Sequence, residues 1–339
     1  MTSDNKALSK RVLVQIPCLN EAADIANVLD AIPKTIEGVS EIKIMVIDDA
    51  STDDTVAIAE KHGVDLVISK EVTRGLAHSF RLGLSYFLSS GFDVLVNIDG
   101  DNQYPQSDIP RLITPILNGS ADVVIGDRGT WSLKHFALWK RILQKLGSGV
   151  VGFVAKTKVR DAASGFRAYG RVAAASIFIV TNFSYAMESI IQAGNKGLRV
   201  ESIPSSARRV SRPSRLFSSQ LEHVRRSAGA ILKGFLMYRP LAAFSALSVP
   251  LFLFGSIPMI RYLVLTLSST AGDHIQSLLL GSLMITSSII FMVLGLIAEL
   301  SKIHRRLHED QVAASRLGGA DHFQGVLELH GAKLRVIKK

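Results

Sequence analysis

Between Val12 and Ile125 the chain alternates between two hydrophobic periods. Val12–Ile16, Ile42–Ile47, Leu66–Ser69, Val94–Ile98 and Asp122–Ile125 are short apolar runs rich in β-branched residues, as strands buried on both faces read. Between them apolar residues recur at helical spacing. Ile25, Val28, Leu29 and Ile32 follow i, i+3, i+4, i+7, with Asn20 placed to cap that helix and Pro33 to stop it. Ser51 and Asp54 make a capping box for a second helix, which Gly63 closes. Arg74-Gly75-Leu76 opens a third helix through Ser90, and a fourth runs from about Ser107 to Leu117. Strands alternating with helices predict an α/β fold with a Rossmann-like, mostly parallel sheet.

Beyond Gly129 the pattern weakens. A basic helix is expected near Lys140 to Lys145, a small-residue loop from Asp161 to Arg167, and an amphipathic segment around Tyr185 and Glu188. Arg199 to Arg239 carries nine Lys/Arg against two Glu, and its Arg208–Arg215 core is too basic to be packed. Phe217 to Tyr238 reads as a helix lying along a membrane surface. Two almost continuous apolar stretches follow, Leu241–Leu267 and Ile275–Leu300, each longer than the ~20 residues that cross a bilayer as a helix. Their short connection, Ser268–His274, makes them a hairpin in which Pro250 and Pro258 are expected to kink the first span. The expected organisation is an α/β domain over 1–216, an interfacial helix over 217–239, two spans within 240–301 and a tail over 302–339. The tail beyond Leu307 has no readable period.

Charge refines this picture. The chain carries a net charge of +10, with its basic residues gathered beside the apolar spans, which favours anionic lipid or phosphate over nucleic acid as partner. The Ser268–His274 loop has no Lys or Arg, whereas Arg225, Arg226, Lys233 and Arg239 precede the hairpin and Lys302, Arg305 and Arg306 follow it. The positive-inside bias therefore places both flanks and the α/β domain in the cytoplasm. Met1–Lys10 lacks the apolar segment of a signal peptide, and the single cysteine, Cys18, excludes an intramolecular disulfide. A homo-oligomer stays open.

The candidate chemistry gathers where the fourth strand ends, at Asn97-Ile-Asp-Gly-Asp-Asn-Gln103. A strand delivering Asp99 and Asp101 to the carboxyl edge of such a sheet puts them where open α/β folds bind ligands. Their hard oxygens suit Mg²⁺ or Mn²⁺, with Gln103 as a third donor and substrate phosphates completing the shell. A calcium loop of the EF-hand type is excluded, because Tyr104 and Pro110 stand where it needs Gly and Glu. The glycine fingerprint of dinucleotide folds and the P-loop are both absent.

Taken together, Ile16-Pro-x-x-Asn-Glu21, Ile47-Asp-Asp-x-Ser-x-Asp53, Gly75-Leu-Ala77, Asp99-Gly-Asp-x-Gln103, Gly126-x-Arg128 and Ser164-Gly-Phe-Arg-Ala-Tyr169 resemble family 2 inverting glycosyltransferases of the GT-A fold. The nearest likeness is to the dolichyl-phosphate mannose synthase and bacterial polyprenyl-phosphate glycosyltransferase group, over roughly Val12 to Leu216. The resemblance implies that Pro17, Asn20, Glu21, Asp49, Ser51, Gly75 and Gly100 line a nucleotide-sugar site and that Asp99, Asp101 and Gln103 hold its metal. It implies phosphate or acceptor contacts for Arg128, Arg141, Ser164, Arg167, Arg209, Ser214 and Arg215. Arg212 and Arg215 stand where the family's basic loop has Gly and Lys, and Lys145 where a small hydroxyl is expected.

Three functions compete on these grounds. The first is a membrane enzyme moving a hexose from a donor such as GDP-mannose or UDP-glucose to polyprenyl phosphate. Its acceptor is already anionic, so Asp161 would orient the acceptor loop rather than abstract a proton. In the second, the acceptor is a hydroxyl of a glycolipid or polysaccharide and Asp161 becomes an essential base. The third is a non-catalytic scaffold that binds nucleotide sugar; the intact Asp99–Asp101–Gln103 set argues against it.

Overall fold

The computed structural model describes residues 10–129, 138–180, 185–206, 208, 229, 232–268, 275–317 and 332–337. They form two compact units, Leu232–His308 and the remainder of the chain.

The first unit is an α/β layer built on an eight-stranded sheet. Its strands are β1 (Lys10–Cys18), β2 (Val39–Asp48), β3 (Leu66–Lys70), β4 (Val94–Asn97), β5 (Val123–Asp127), β6 (Arg167–Gly170), β7 (Val200–Pro204) and β8 (Ala332–Val336). They lie in the order β7-β5-β6-β4-β1-β2-β3-β8. The inner run β4-β1-β2-β3 is parallel, as the uninterrupted apolar strands predicted. Every residue from Val12 to Cys18 is buried, which requires a covered sheet on both sides. On one face α1 (Ile25–Asp30), α2 (Thr55–Lys61) and α4 (Ile109–Leu117) pack Ile25, Val28, Ala59, Leu112 and Ile113 against Val12, Val14, Val46 and Val96. On the other, α3 (Leu76–Ser89) lies on β1 and β2, and α6 (Arg171–Ser176) and α7 (Tyr185–Asn195) flank it. Phe80 of α3 stacks on Tyr185 at 4.3 Å between ring centroids. The remaining helix of this unit, α5 (Leu138–Ala155), packs along α7.

Three strands, β6, β7 and β8, lie outside the five that the sequence leads one to expect. β6 is inserted antiparallel between β4 and β5, so the sheet is mixed where it approaches β7. The C-terminal β8 pairs antiparallel with β3, and its Lys333 and Arg335 meet Glu71 and Glu60 at 3.1 Å and 2.6 Å. Charged side chains on a closing edge strand discourage further pairing. Glu309 and Arg316 also belong to this unit: Glu309 pairs with Lys196 at 2.8 Å, and the Arg316 guanidinium lies 4.3 Å from the Phe178 ring centroid.

Both expected caps are displaced. The first helix begins at Ile25 after Asp24, and Asn20, at φ 55°, leaves it uncapped. Neither does Ser51 box the second helix, because its N–H donates to Asp48. Asp53 instead accepts from the Thr55 N–H at 3.1 Å.

The second unit contains α8 (Pro240–Leu267) and α9 (Ile275–Arg316) up to His308. Each helix is long and apolar enough to cross a membrane. Their large apolar side chains are mostly exposed, Phe254 by 62% and Leu283 by 64%, which a soluble core helix would not allow. α8 continues through Pro250 and Pro258, and α9 runs well past the expected end of its span at Leu300. The two helices close where side chains are smallest. Ser248 Oγ donates to the Ser288 carbonyl at 2.9 Å and Ser288 Oγ returns the bond at 2.9 Å, while Gly255 faces Gly281. In hydrocarbon this close packing and hydrogen bonding replace the hydrophobic drive. Of the expected interfacial helix the structure describes Gly229 and 232–239, of which Gly229 and 232–238 are helical.

A Cβ at Gly281 would come 2.9 Å from the Gly255 carbonyl, a backbone atom that cannot swing away. Gly281→Leu is expected to lower stability in detergent by about 1–3 kcal/mol, as overpacking does. Thermal unfolding measures it; an unchanged midpoint would contradict this crossing.

Candidate active site

The carboxyl ends of β1, β2 and β4 are adjacent, so the loops that follow them share one edge of the sheet. The β4 strand stops at Asn97, and the chain then turns through Gly100 and Asp101 to Asn102 at φ 56°. Asp99 and Asp101 therefore meet through a turn and not as same-face residues of an extended strand. The turn requires Gly100, since a Cβ there would come 2.9 Å from Cys18 Sγ and 3.3 Å from Glu21 Cγ. In this way Cys18, at the end of β1, and Glu21 from the loop that follows are packed against the acidic turn.

Asp99 is the least compensated group of the edge. Its Oδ1 is buried without a hydrogen-bond partner. Burial, then the neighbouring Asp101 charge, pushes its pKa up to about 7. Gly165 closes one side so tightly that a Cβ there would come 2.4 Å from Asp99 Oδ2. That peptide is pinned from two directions. The Gly165 N–H donates to Tyr104 Oη at 2.9 Å, and Asn97 Nδ2 donates to the Gly165 carbonyl at 2.8 Å. Asn97 also donates to Tyr185 Oη at 2.9 Å and accepts from Gln15 Nε2 at 2.8 Å. Asn97 and Gln15 lie on neighbouring strands in register, so two polar residues inside apolar strands find each other. A buried network of this kind fixes geometry because each lost bond would leave an unsatisfied group.

Beside it, Arg128 and Asp161 form a two-pronged ion pair. Arg128 Nε donates to Asp161 Oδ2 at 2.6 Å and Nη2 to Oδ1 at 2.9 Å. Asp161 is completely buried. Burial alone would raise its pKa; the Arg128 guanidinium and backbone N–H groups hold it below the ordinary value. Asp161 thus sits at the site as an ionised, fully engaged carboxylate. Two other expected phosphate ligands are placed differently. Ser164 and Arg167 are both fully buried, and the Arg167 guanidinium bonds the carbonyls of Ala162 (2.9 Å), Ser164 (2.7 Å) and Ala186 and the Ser189 hydroxyl (2.8 Å). These four donors are engaged by protein oxygens, and the residue ties the 162–166 loop to α7.

On the opposite side the first two loops are knitted together. The Asn20 N–H donates to Ser51 Oγ at 2.8 Å, the Thr52 N–H to Asn20 Oδ1 at 2.7 Å and the Glu21 N–H to Thr55 Oγ1 at 2.8 Å. Asp49 accepts from the N–H groups of Arg74 at 2.8 Å and Gly75 at 2.7 Å and pairs with the buried Lys70. Burial lowers the Lys70 pKa against the pull of Asp49. Gly75, at φ 88°, is in the left-handed region and opens α3. Asp49 thus fixes the turn that starts α3, and Pro17 sits in β1 opposite Ile47.

Gln103 follows the acidic turn, its N–H donating to Asp101 Oδ1 at 3.1 Å. Its carbonyl accepts the Arg208 N–H at 2.8 Å, and Arg208 Nη1 donates to Asn102 Oδ1 at 2.6 Å. Arg208 was not singled out in the sequence, where it is one arginine of a run. Arg209, Ser214 and Arg215 lie outside the described residues; Arg141 lies in α5, with its side chain outside them. Tyr104, Asn97, Gln15 and Tyr185 were also missed, since strand polars and tyrosines carry no motif.

Among the described residues no three His, Cys, Asp or Glu side chains form a ready-made metal cage. Asp99 and Asp101 beside Gln103 make an open acidic edge of the kind that holds Mg²⁺ through few protein oxygens. A raised carboxyl pKa favours folding while the group is neutral, so metal-free protein should lose stability as pH rises toward and through about 7. Asp99→Asn is therefore expected to raise the metal-free melting temperature, more at about pH 8 than at about pH 5. Saturating Mn²⁺ should reverse the order, which differential scanning calorimetry would reveal.

The glycosyl transferase family 2 profile matches residues 13–178. An uncharacterized glycosyltransferase of Mycobacterium tuberculosis is 30% identical over 194 residues, covering 56% of this chain and 81% of the relative. Polyprenol monophosphomannose synthase of Mycolicibacterium smegmatis is 25% identical over 209 residues, 58% of this chain and 77% of that one. Among solved structures, Mycobacterium tuberculosis glucosyl-3-phosphoglycerate synthase with Mn²⁺, UDP and glucosyl-3-phosphoglycerate aligns at TM-score 0.51 and 20% identity, over 68% of this chain and 80% of that one. The fold is thus GT-A, mostly parallel with an antiparallel insertion. Sequence, fold and site agree, and the chain belongs to glycosyl transferase family 2 as a glycosyltransferase.

Proposed function

We propose that the protein transfers a hexose from a nucleoside-diphosphate sugar to a polyprenyl phosphate in the membrane, with inversion at the anomeric carbon. The observation that carries the reading is the buried, unpartnered Asp99 oxygen beside Asp101, at a sheet edge with a hairpin of membrane-spanning length in the same chain. Such a carboxylate pair fits a divalent cation, which would remove the like-charge penalty that raises the Asp99 pKa. Asp99, Asp101 and Gln103 would hold Mg²⁺ or Mn²⁺, whose charge would stabilise the departing diphosphate. The solved neighbour's Mn²⁺–UDP complex and the lipid-linked product in the relative's name support the donor and acceptor classes assigned here.

The protein groups divide the remaining work. The 19–24 and 48–54 loops, knitted by Asn20, Ser51 and Asp53, would cradle the nucleoside beside Pro17, Glu21 and Gly75. An acceptor phosphate oxygen attacks the anomeric carbon as the bond to the diphosphate breaks, and the electron pair leaves with the nucleotide. That nucleophile is anionic at neutral pH and needs no base. The buried Asp161–Arg128 pair suits this acceptor better than a hydroxyl, for which a free carboxylate would be required. Arg128 would face the developing charge with its guanidinium held by Asp161, where preorganised charge acts most strongly. Arg141, Arg209, Ser214 and Arg215 are proposed for the acceptor phosphate, as bidentate guanidinium chemistry suits.

EDTA is expected to abolish transfer to undecaprenyl or dolichyl phosphate, and Mg²⁺ or Mn²⁺ to restore it. Asp101→Ala should lower turnover by about 100-fold or more, the scale of losing a main electrostatic stabiliser. Near-normal turnover of that variant, measured with a panel of nucleotide sugars, would overturn the assignment. Transfer to free polyprenol in place of its phosphate would favour the hydroxyl-acceptor reading.

The charge asymmetry around the hairpin supports a cytoplasmic α/β unit. Reporter fusions at the N-terminus and after Lys302 are both expected to read cytoplasmic, with the 268–274 loop outside. Opposite locations for the two ends would exclude that topology.

A further inference from the structure

Gln15 is a polar residue that the core accommodates at a penalty. It stands between Val14 and Ile16 in β1, fully buried in a strand whose buried neighbours are apolar. Its Oε1 is buried without a hydrogen-bond partner. A Cβ at residue 83 would overlap that oxygen and come 2.7 Å from Ile47 Cδ1, so α3 carries a glycine in its interior, where glycine weakens a helix. An apolar side chain at position 15 would avoid burying an amide. Among the described residues the Gln15 side chain makes one hydrogen bond, Nε2 to Asn97 Oδ1 at 2.8 Å.

That bond completes the orientation of Asn97. The Gly165 carbonyl can only accept, so Asn97 turns Nδ2 toward it at 2.8 Å and toward Tyr185 Oη at 2.9 Å. Asn97 Oδ1 then faces β1, where only a donor satisfies it, and Gln15 supplies that donor. Without Gln15 the Asn97 amide can turn about its side-chain torsions, and the Gly165 peptide loses a fixed partner. Gly165 packs so closely on Asp99 that a Cβ there would overlap the carboxylate. Displacement of this peptide therefore reaches the acid directly.

We infer that Gln15 is a positioning residue for the cation site: acting through Asn97 and Gly165, it holds the Asp99 carboxylate in the orientation that takes a divalent metal. This rests on the assignment of Asp99 and Asp101 to that metal. It goes further in placing part of the metal affinity in a β1 residue that is hydrogen-bonded to neither carboxylate. Groups that orient metal ligands from behind change affinity by about 10- to 100-fold.

The test titrates the full chain in detergent micelles with Mn²⁺ alone and follows free Mn²⁺ by its electron paramagnetic resonance signal. Gln15→Met keeps the length and shape of the side chain and removes its donor. Asp101→Ala marks binding at the acidic turn. Leu13→Ala, on the same face of β1 and fully buried, lowers stability by opening a cavity away from the network. All variants are compared at a temperature where circular dichroism shows them folded. The expected result is saturable binding by the wild type that Asp101→Ala abolishes. Gln15→Met should raise the Mn²⁺ dissociation constant about 10-fold or more. Leu13→Ala should lower the melting temperature and leave the dissociation constant unchanged. Should Gln15→Met fail to fold, Gln15→Leu carries the same expectation. Unchanged affinity of the Gln15 variant, with binding still abolished by Asp101→Ala, would overturn this inference alone. Equal weakening by Leu13→Ala would also overturn it, because affinity would then follow stability and not position. Wild-type binding that Asp101→Ala leaves intact, or no binding at all, would overturn it together with the metal assignment.

Discussion

The contact between the Gly165 backbone and the Asp99 carboxylate is the constraint on which the rest of the site depends. With no Cβ, residue 165 presses against the acid so closely that any side chain would occupy the carboxylate's space. That pressure removes water from one side of Asp99, leaves Oδ1 without a partner and raises the pKa toward neutrality. Left alone, such a group would take up a proton and relax. It is prevented from moving away because Tyr104 and Asn97 hold the Gly165 peptide at both its N–H and its carbonyl. The stored unfavourable interaction makes the edge a strong receptor for positive charge.

The same segment explains the departure from an all-parallel sheet. The chain through 162–170 must place Gly165 beside Asp99 and then continue as β6 between β4 and β5. It can do so only if the polar groups of an irregular buried loop find partners. Arg167 supplies them, its guanidinium collecting carbonyls from both the loop and α7. The Arg128–Asp161 pair closes the other end. A buried ion pair of this kind adds little net stability, because desolvation offsets its attraction, but breaking it would strand a charge in the interior. Its value is positional, holding one guanidinium in place at the edge where negative charge collects.

The helical hairpin and the α/β unit are each held together by physically different devices in one chain. The hairpin helices expose their large apolar side chains and meet through Ser248, Ser288, Gly255 and Gly281. The α/β unit buries its apolar residues in a two-sided core and concentrates its cations on a few segments. Sequence after the spans returns to the first unit, where Glu309, Arg316 and β8 join α7, Phe178 and β3.

What could be read from the sequence was whatever a local period or a short motif encodes. Buried parallel strands are apolar on both faces, so β1 to β5 were legible, as were the spans, whose length is set by the bilayer. Asp99 and Asp101 were legible because they end such a strand abruptly. Asn20 and Ser51 look like caps to a local reading, yet they cross-link two loops that are distant in sequence. Arg167 looks like a phosphate ligand, and its burial depends on α7 arriving from elsewhere in the chain. β6 and β7 are short and lack a buried apolar run, and β8 alternates apolar and charged residues over only five positions, so all three emerge only with the neighbours they pair with. Asn97 and Tyr104 carry no motif of their own, and Gly165, legible only as one letter of the Ser164–Tyr169 motif, meets them around one carboxylate only on folding. Local periodicity determined which residues prefer strand, helix or an apolar span, and only tertiary structure decided which polar groups are satisfied by one another and which, like Asp99 Oδ1, have no protein partner.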